Sequence, residues 1–393
     1  MQRGTIAFNS GRLNIPVLPV SSLTAQALLA DMRGVPGPAH WAGALAVPYV
    51  VGQTRSQVHL RVQMRAAHST LWNTVGELRG TQPESTVIAG AHRDAWVYGV
   101  SDDGSGIAAL LETARGLGEL HRRGWTPQRT IRLIGFDAEE LGELGSHAYV
   151  NAHLAELQRG CVAYINVDEA VSGPTLAAGG VAALRPSVER AASDIDGVTL
   201  HRYGSAGGGS DFEAFLYTAG VPILNLGYEG PLGVYHSTFD DYTYMSRILD
   251  PGFVRHRAVA QTVGVLLMQY ADAAAMPYAL SPYAEVLTSG VAGLSKLAAG
   301  QHVALDTASL NAAIRRFADA ARTFDAQPDA AKNERARAAV KRLDAMVYSA
   351  NGYASVAFPA VAAAIAQGDA SGVQRAVGDA AGSVDAVTGL ISS

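Results

Sequence analysis

From about residue 70 to residue 275, short apolar runs alternate with longer helical ones, and this alternation restricts the fold more than any other feature of the chain. NTVGELRG (73–80), TVIAGA (86–91), TIRLIGF (130–136), VAYINVD (162–168) and VPILNLG (221–227) have the length and apolar character of strands. Helical patterns occupy 104–120, 140–158, 210–219 and 252–274. Strands alternating with helices predict a mixed, mostly parallel sheet sandwiched by helices, an α/β fold. Beyond about 280 the pattern becomes alanine-rich and helical, at 279–299, 306–325, 330–348 and 371–390, with no convincing strand. That predicts a separate α-helical bundle. Ahead of the alternation, residues 1–69 are strand-like pieces broken by glycine and proline, as in RGVPGPAHWAGALAVPYVVG (33–52). They hold one helical stretch, SSLTAQALLADM (21–32), opened by serines. The expected division is therefore 1–69, 70–275 and 276–393.

Composition excludes several classes of function. Of 393 residues, 48% are hydrophobic and 17% charged, so a large core is available. The formal net charge is −5 with no long basic run, which argues against nucleic acid as partner. The single cysteine, Cys161, permits neither an intramolecular disulfide nor a multi-cysteine zinc site, and reads as a small core residue. No apolar stretch is long enough for a membrane span, and the first residues carry no secretion signal.

In an open α/β sheet the functional crevice lies at the carboxyl ends of the strands, and the polar residues collect there. After TVIAGA come His92, Asp94, Asp102 and Asp103; after TIRLIGF come Asp137, Glu139 and Glu140; after VAYINV come Asp168 and Glu169. A fourth loop, VYHSTFDDY (234–242), carries His236, Asp240 and Asp241. Taken singly, Asp94 or Asp168 is a helix cap or loop carboxylate, and Glu139 and Glu140 complement a helix dipole. Four loops that each bring the right residue type point instead to a metal. Imidazole with carboxylate, and no cysteine, suits zinc or a similar divalent ion. Two ions sharing a bridging carboxylate need about two further protein ligands each, with water completing the shell. One aspartate to bridge, two histidines, a glutamate and a further aspartate meet that need, and a second glutamate is left as general base. At the start of a helix, Glu139 and Glu140 point in different directions, one to metal and one to water.

In order and spacing, GAHRDAW…SDDGSG, FDAEELGELGS, YINVD, GGGSDFEAF and VYHSTFDDY resemble the co-catalytic di-zinc peptidases typified by glutamate carboxypeptidase II, or prostate-specific membrane antigen. That family also holds bacterial aminopeptidases and the metal-free transferrin receptor. WAGALAVPYVVG (41–52) and NTVGELRG look like the segments leading into the protease domain, and YSANGYASVAFPAV (348–361) looks like part of the helical dimerisation domain. The resemblance implies a zinc-exopeptidase α/β fold followed by a helical bundle that forms a homodimer. It implies two zinc ions, with Asp102 bridging, His92 and Asp168 on one, and Glu140 and His236 on the other. Glu139 is then the general base, Asp94 orients His92 from behind, and Tyr235 donates to the tetrahedral oxyanion. Gly209, Ser210, Asp211 and Tyr353 fall at the substrate, and a cis peptide bond is expected after Asp102. The implied activity is metal-assisted hydrolysis of short peptides, as carboxypeptidase or aminopeptidase. The alternative within the family is an inactive, receptor-like interaction protein. Full retention of the ligands argues against it and against single-zinc glutaminyl cyclase relatives.

Departures from the family pattern bear on substrate. Gly352–Tyr353 stand where the glutamate-specific member has lysine–tyrosine, and LNLGY (224–228) lacks its arginines. Strict glutamate specificity is therefore not expected, and a broader, more apolar preference is. Ala148 stands where an acidic calcium ligand is expected. Residues 1–32 look like the last strand and helix of the family's apical protease-associated domain, so 1–69 reads as a remnant of that domain and the chain as N-terminally truncated. By resemblance the full-length form works outside the cytoplasm.

Overall fold

The computed structural model describes residues 17–63, 67–205, 207–351 and 354–393. The strand expected near the amino terminus, in so far as it falls on residues 1–16, lies outside them, as does Tyr353. Helix α1 (Ser22–Asp31) is opened by Ser21, whose hydroxyl accepts from the Thr24 amide. An antiparallel hairpin follows, β1 (Met32–Pro36) with β2 (Val50–Thr54), in register from Met32–Thr54 to Pro36–Val50.

The α/β region then runs β3 (Thr74–Leu78), β4 (Gln82–His92), α2 (Gly104–Arg122), β5 (Arg129–Phe136), α3 (Leu144–Gly160), β6 (Cys161–Asn166), β7 (Thr175–Gly180), α4 (Arg185–Ser193), β8 (Arg202–Ser205), β9 (Ile223–Glu229), α5 (Tyr242–Tyr244) and α6 (Val254–Asp272). Among the described residues its strands form one seven-stranded sheet in the order β3-β5-β4-β6-β9-β7-β8. The β4–β5, β4–β6, β6–β9 and β7–β8 pairs are parallel, and β3–β5 and β7–β9 antiparallel. The middle strands read as continuous apolar runs because both faces are covered: Val87, Ile88, Ala89 and Val162 to Ile165 are wholly buried. The fold class is the expected one.

Several elements depart from the sequence pattern. β7 (TLAAGG) and β8 (RYGS) carry no β-branched apolar run, and their pairing comes from ladders to β9 and to each other rather than from local propensity. Helix α3 starts at Leu144 and not at 140. Ala138 and Glu143 adopt left-handed conformations (φ 57° and 58°), as does Gly142 (φ 103°), so 139–143 is a turn and the two glutamates stand before the helix. The run at 210–219 is wound as a π-helical turn, Ala214–Ala219, closed by Gly220 at φ 65°.

The rest of the chain is helical: α7 (Tyr283–Gly300), α8 (Ala308–Asp325), α9 (Asn333–Val347), α10 (Pro359–Ala366) and α11 (Ala370–Ser392). The expectation of no strand here is corrected by a two-residue ladder, β10 (Ala350–Asn351) with β11 (Ala354–Ser355), too short to show as periodicity. α8 buries Leu310, Ala313, Ile314, Phe317, Ala321 and Phe324, a stripe at helical spacing. It packs along α11, which buries Val373, Val377, Val384, Val387 and Ile391. This region is tied to the sheet by polar contacts to the backbone. The Tyr278 hydroxyl donates to the Val162 carbonyl (2.5 Å), Arg337 to the Cys161 carbonyl (3.1 Å), and the Ala182 amide to the Tyr348 hydroxyl (2.9 Å).

Candidate metal centre

Strand β4 ends on His92 at the carboxyl edge of the sheet, between β5 and β6. Nδ1 of His92 lies 2.9 Å from the Asp94 carbonyl oxygen. A carbonyl only accepts, so Nδ1 carries the hydrogen and Nε2 of the neutral ring presents its lone pair. Nε2 is 2.9 Å from Asp102 Oδ1 and 3.3 Å from Asp168 Oδ1. Across the cluster, Nε2 of His236 is 2.9 Å from the other Asp102 oxygen, Oδ2, and 3.2 Å from Glu140 Oε2. The two oxygens of Asp102 thus face two different histidines.

The donor set fits divalent cations. His92, Asp103 and Asp168 form one group, and Asp102, Glu140 and His236 another, with ligand atoms in each within 4.8 Å of one another. A tetrahedral zinc with bonds of about 2.0–2.2 Å places its donors about 3.3–3.6 Å apart, near the 3.3 Å and 3.2 Å found for His92–Asp168 and His236–Glu140. Asp103 Oδ2 and Asp168 Oδ1 are buried without a hydrogen bond. Buried carboxylate oxygens in that condition are costly unless a cation meets them. Burial opposes charge on His92, but Asp168 and Asp102 outweigh it and raise its pKa well above the ordinary value. Burial likewise disfavours the Asp102 anion, yet His236 and His92 hold its pKa down to about 2. Burial, then the charge of Asp168, pushes Glu139 up to about 10 and Glu169 to about 8. Bound cations reverse this logic. The cluster is an excess of negative charge arranged around two places for positive charge.

The supporting contacts are specific. Asp240, buried, accepts from the amides of Ser101 (2.8 Å) and Asp102 (3.2 Å) and so fixes the loop that carries the central carboxylate. The Asp102–Asp103 peptide bond is cis. Ser210 donates to Asp168 Oδ2 (2.5 Å) and accepts from the Asn166 amide (2.9 Å). Gly106, in the first turn of α2, is required by crowding: a Cβ there would lie 1.9 Å from the Val167 carbonyl oxygen.

Two expectations change. Asp94 acts on His92 through its carbonyl; its carboxylate, 3.7 Å from Nδ1, instead accepts from the amides of Glu139 (3.0 Å) and Glu140 (3.3 Å). Asp211, expected at the substrate, is 1% exposed beneath the cleft, and burial raises its pKa to about 7. Ser210 lines the cleft as expected, with its hydroxyl engaged with Asp168 and Asn166. Gly209 and Tyr235 do line the cleft, about 380 Å³ in volume, with Glu139. Tyr235 stacks on His236 with ring centroids 3.7 Å apart. The reading of single residues gave no role to Asp103, Asp240 or Glu169. Their presence in ligand-bearing loops was the available signal, and only proximity distinguishes them from ordinary loop acids.

A model of peptidase family M28 matches residues 73–251, which span all four loops. The chain is 33% identical over 337 residues to the probable glutamate carboxypeptidase LAMP1 of Arabidopsis thaliana, covering 81% of this chain and 48% of that protein. It is 34% identical over 327 residues to the aminopeptidase NAALADL1 of Mus musculus, covering 71% and 43%. With the probable glutamate carboxypeptidase AMP1 of Arabidopsis thaliana it shares 35% identity over 320 residues, 77% of this chain and 45% of that protein. The chain spans about half the length of the curated relatives it matches. Residues 73–251 are a peptidase family M28 domain, and the chain that carries them belongs with the glutamate carboxypeptidase-like members of that family.

Proposed function

We propose that the chain is a di-zinc exopeptidase acting on short peptides. The observation that carries the reading is Asp102, whose two oxygens each lie 2.9 Å from a different histidine, the geometry of a carboxylate between two ions. His92 and Asp168 would hold one ion with it, and Glu140 and His236 the other. When bound, the ions supply Lewis-acid polarisation of the scissile carbonyl and a lowered pKa for the attacking water. Glu139, in the cleft and 3.9 Å from His92 Nε2 at its nearest, would accept a proton at its carboxylate as water attacks and return it to the departing amine. Asp94 keeps the Glu139–Glu140 turn in place by accepting hydrogen bonds from their two backbone amides. The Tyr235 hydroxyl donates to the oxyanion, its ring held by stacking on His236. Strict glutamate specificity is not part of the proposal, since Asn225 and Gly227 line the cleft where a cation would be needed.

The test combines metal analysis with hydrolysis of a mixed dipeptide library, on the parent and on Glu139→Gln. About two zinc ions per chain are expected in both proteins, with activity in the variant down by about 10²–10⁴-fold. A folded parent without zinc would overturn the reading, as would a Glu139→Gln protein of undiminished activity.

A further inference from the structure

We propose that Glu169 binds a primary ammonium group on the first residue of the peptide, so that this exopeptidase takes its substrates by a cationic amino end; the proposal rests on the metallopeptidase reading above. The cleft beside the metal ligands is lined by five carboxylates, those of Asp102, Glu139, Asp168, Glu169 and Glu229. No lysine, arginine or histidine lines it among the described residues. Four of the five have an assignment. Asp102 and Asp168 are metal ligands, Glu139 is the base, and Glu229, at the exposed rim, is paired with Arg202. Glu169 is left over.

Its placement follows from the backbone. Glu169 comes directly after the ligand Asp168, and its φ of 47° lies in the left-handed region that L side chains rarely adopt. The chain turns there, immediately past β6, and the partly buried side chain borders the same cleft as its neighbour. A peptide carboxylate entering this space meets negative charge and no protein cation. An ammonium meets Glu169 and forms a charge-assisted hydrogen bond in a partly desolvated place, where such bonds are strongest. Gly208, Gly209, Gly227 and Gly230 also border the cleft, so the first side chain finds room without a specific pocket. The ammonium has two sources, the α-amino group or the side chain of an amino-terminal lysine.

The experiment compares kcat/KM of the zinc-loaded protein for Leu-Ala, acetyl-Leu-Ala and acetyl-Lys-Ala, in the parent, Glu169→Gln and Glu169→Gly. Glycine relaxes the left-handed backbone while removing the carboxylate, so agreement between the two variants separates charge from strain. The parent is expected to prefer Leu-Ala over acetyl-Leu-Ala by about tenfold or more, and both variants to lose most of that ratio with zinc content unchanged. Slow cleavage of acetyl-Lys-Ala assigns the recognised ammonium to the α-amino group, and restored cleavage assigns it to the side chain. Equal rates on all three peptides in the parent, or a preference that survives in both variants, would overturn the proposal. If the parent hydrolyses none of them, the metallopeptidase reading fails by itself. Calorimetry with leucinamide and acetyl-leucinamide then decides this one, which requires binding of the former by the parent and its loss in Glu169→Gln.

Discussion

The Asp240 carboxylate binds backbone amides, and through them it holds Asp102, the carboxylate at the centre of the proposed metal site. Its carboxylate accepts two amides, those of Ser101 and Asp102, from a loop 139 and 138 positions away in the chain. An asparagine keeps one acceptor oxygen but turns an NH₂ toward the second amide, leaving a buried donor facing a donor. Asp240→Asn is therefore expected to weaken zinc affinity by about 10–100-fold, the usual effect of losing a partner behind the ligands. Competition with a chromogenic chelator measures this, and a melting curve of the zinc-loaded variant shows that it still folds. Asp94 illustrates the same division of labour. Its carbonyl sets the tautomer of His92 while its carboxylate ties down the turn that carries Glu139 and Glu140, the proposed base and metal ligand.

At the scale of elements, the site depends on how chain segments leave the sheet. Helix α2 starts against the end of β6, with Asp103 as its cap accepting from the Gly106 amide (2.8 Å). A Cβ on Gly106 would meet the Val167 carbonyl at 1.9 Å and the Asp103 oxygens at 2.4 and 2.5 Å. Backbone has to move to admit it. Gly106→Ala is expected to cost about 1–3 kcal/mol, the range for overpacking a tight site, as a lowered urea midpoint at unchanged slope. The same argument explains why α3 was read too early. DAEELGE has good helix formers at 139–141, but three left-handed residues in 138–143 break the winding and leave Glu139 and Glu140 free of the helix. Tertiary demand, here the need to bring both carboxylates beside His92 and His236, overrides local propensity.

Across the whole molecule, the helical region and the sheet share one buried core, and that core contains an ionisable group far from the metal cluster. Asp344 on α9 is 6% exposed and accepts a hydrogen bond from the Tyr283 hydroxyl on α7. Burial pushes its carboxyl up to about 8, against the opposing effect of that bond. The folded state therefore holds a proton that the unfolded chain gives up near pH 4. Stability from this group is complete below that pH and is lost as pH rises toward about 8, at up to about 1.4 kcal/mol per pH unit. Asparagine keeps the acceptor for Tyr283 and has no proton to lose. Denaturation at pH 5 and pH 8 is expected to show a larger fall for the parent than for Asp344→Asn. Equal falls would place Asp344 as an anion in the folded state.

What the sequence by itself determined is what local pattern encodes. Apolar runs of strand length, each followed by a loop of acid or imidazole, are enough to place a mostly parallel sheet and to gather the candidate loop residues, from which the family resemblance singles out His92, Asp102, Glu139, Glu140, Asp168 and His236. Strand propensity, helix periodicity and ligand chemistry are properties of a few neighbouring residues, so they survive without the fold. The tertiary structure alone decided which Asp102 oxygen faces which histidine, that Asp94 works through its carbonyl, that Asp211 lies behind the cleft, and that Glu169 borders it. It also recruited β7 and β8, which have little strand character of their own. Many of the site's contacts join partners far apart in the chain, as when Ser210 meets Asp168 at 42 positions or Ser101 meets Asp240 at 139. Contacts at that separation are set by sheet order and loop path, which no local pattern carries.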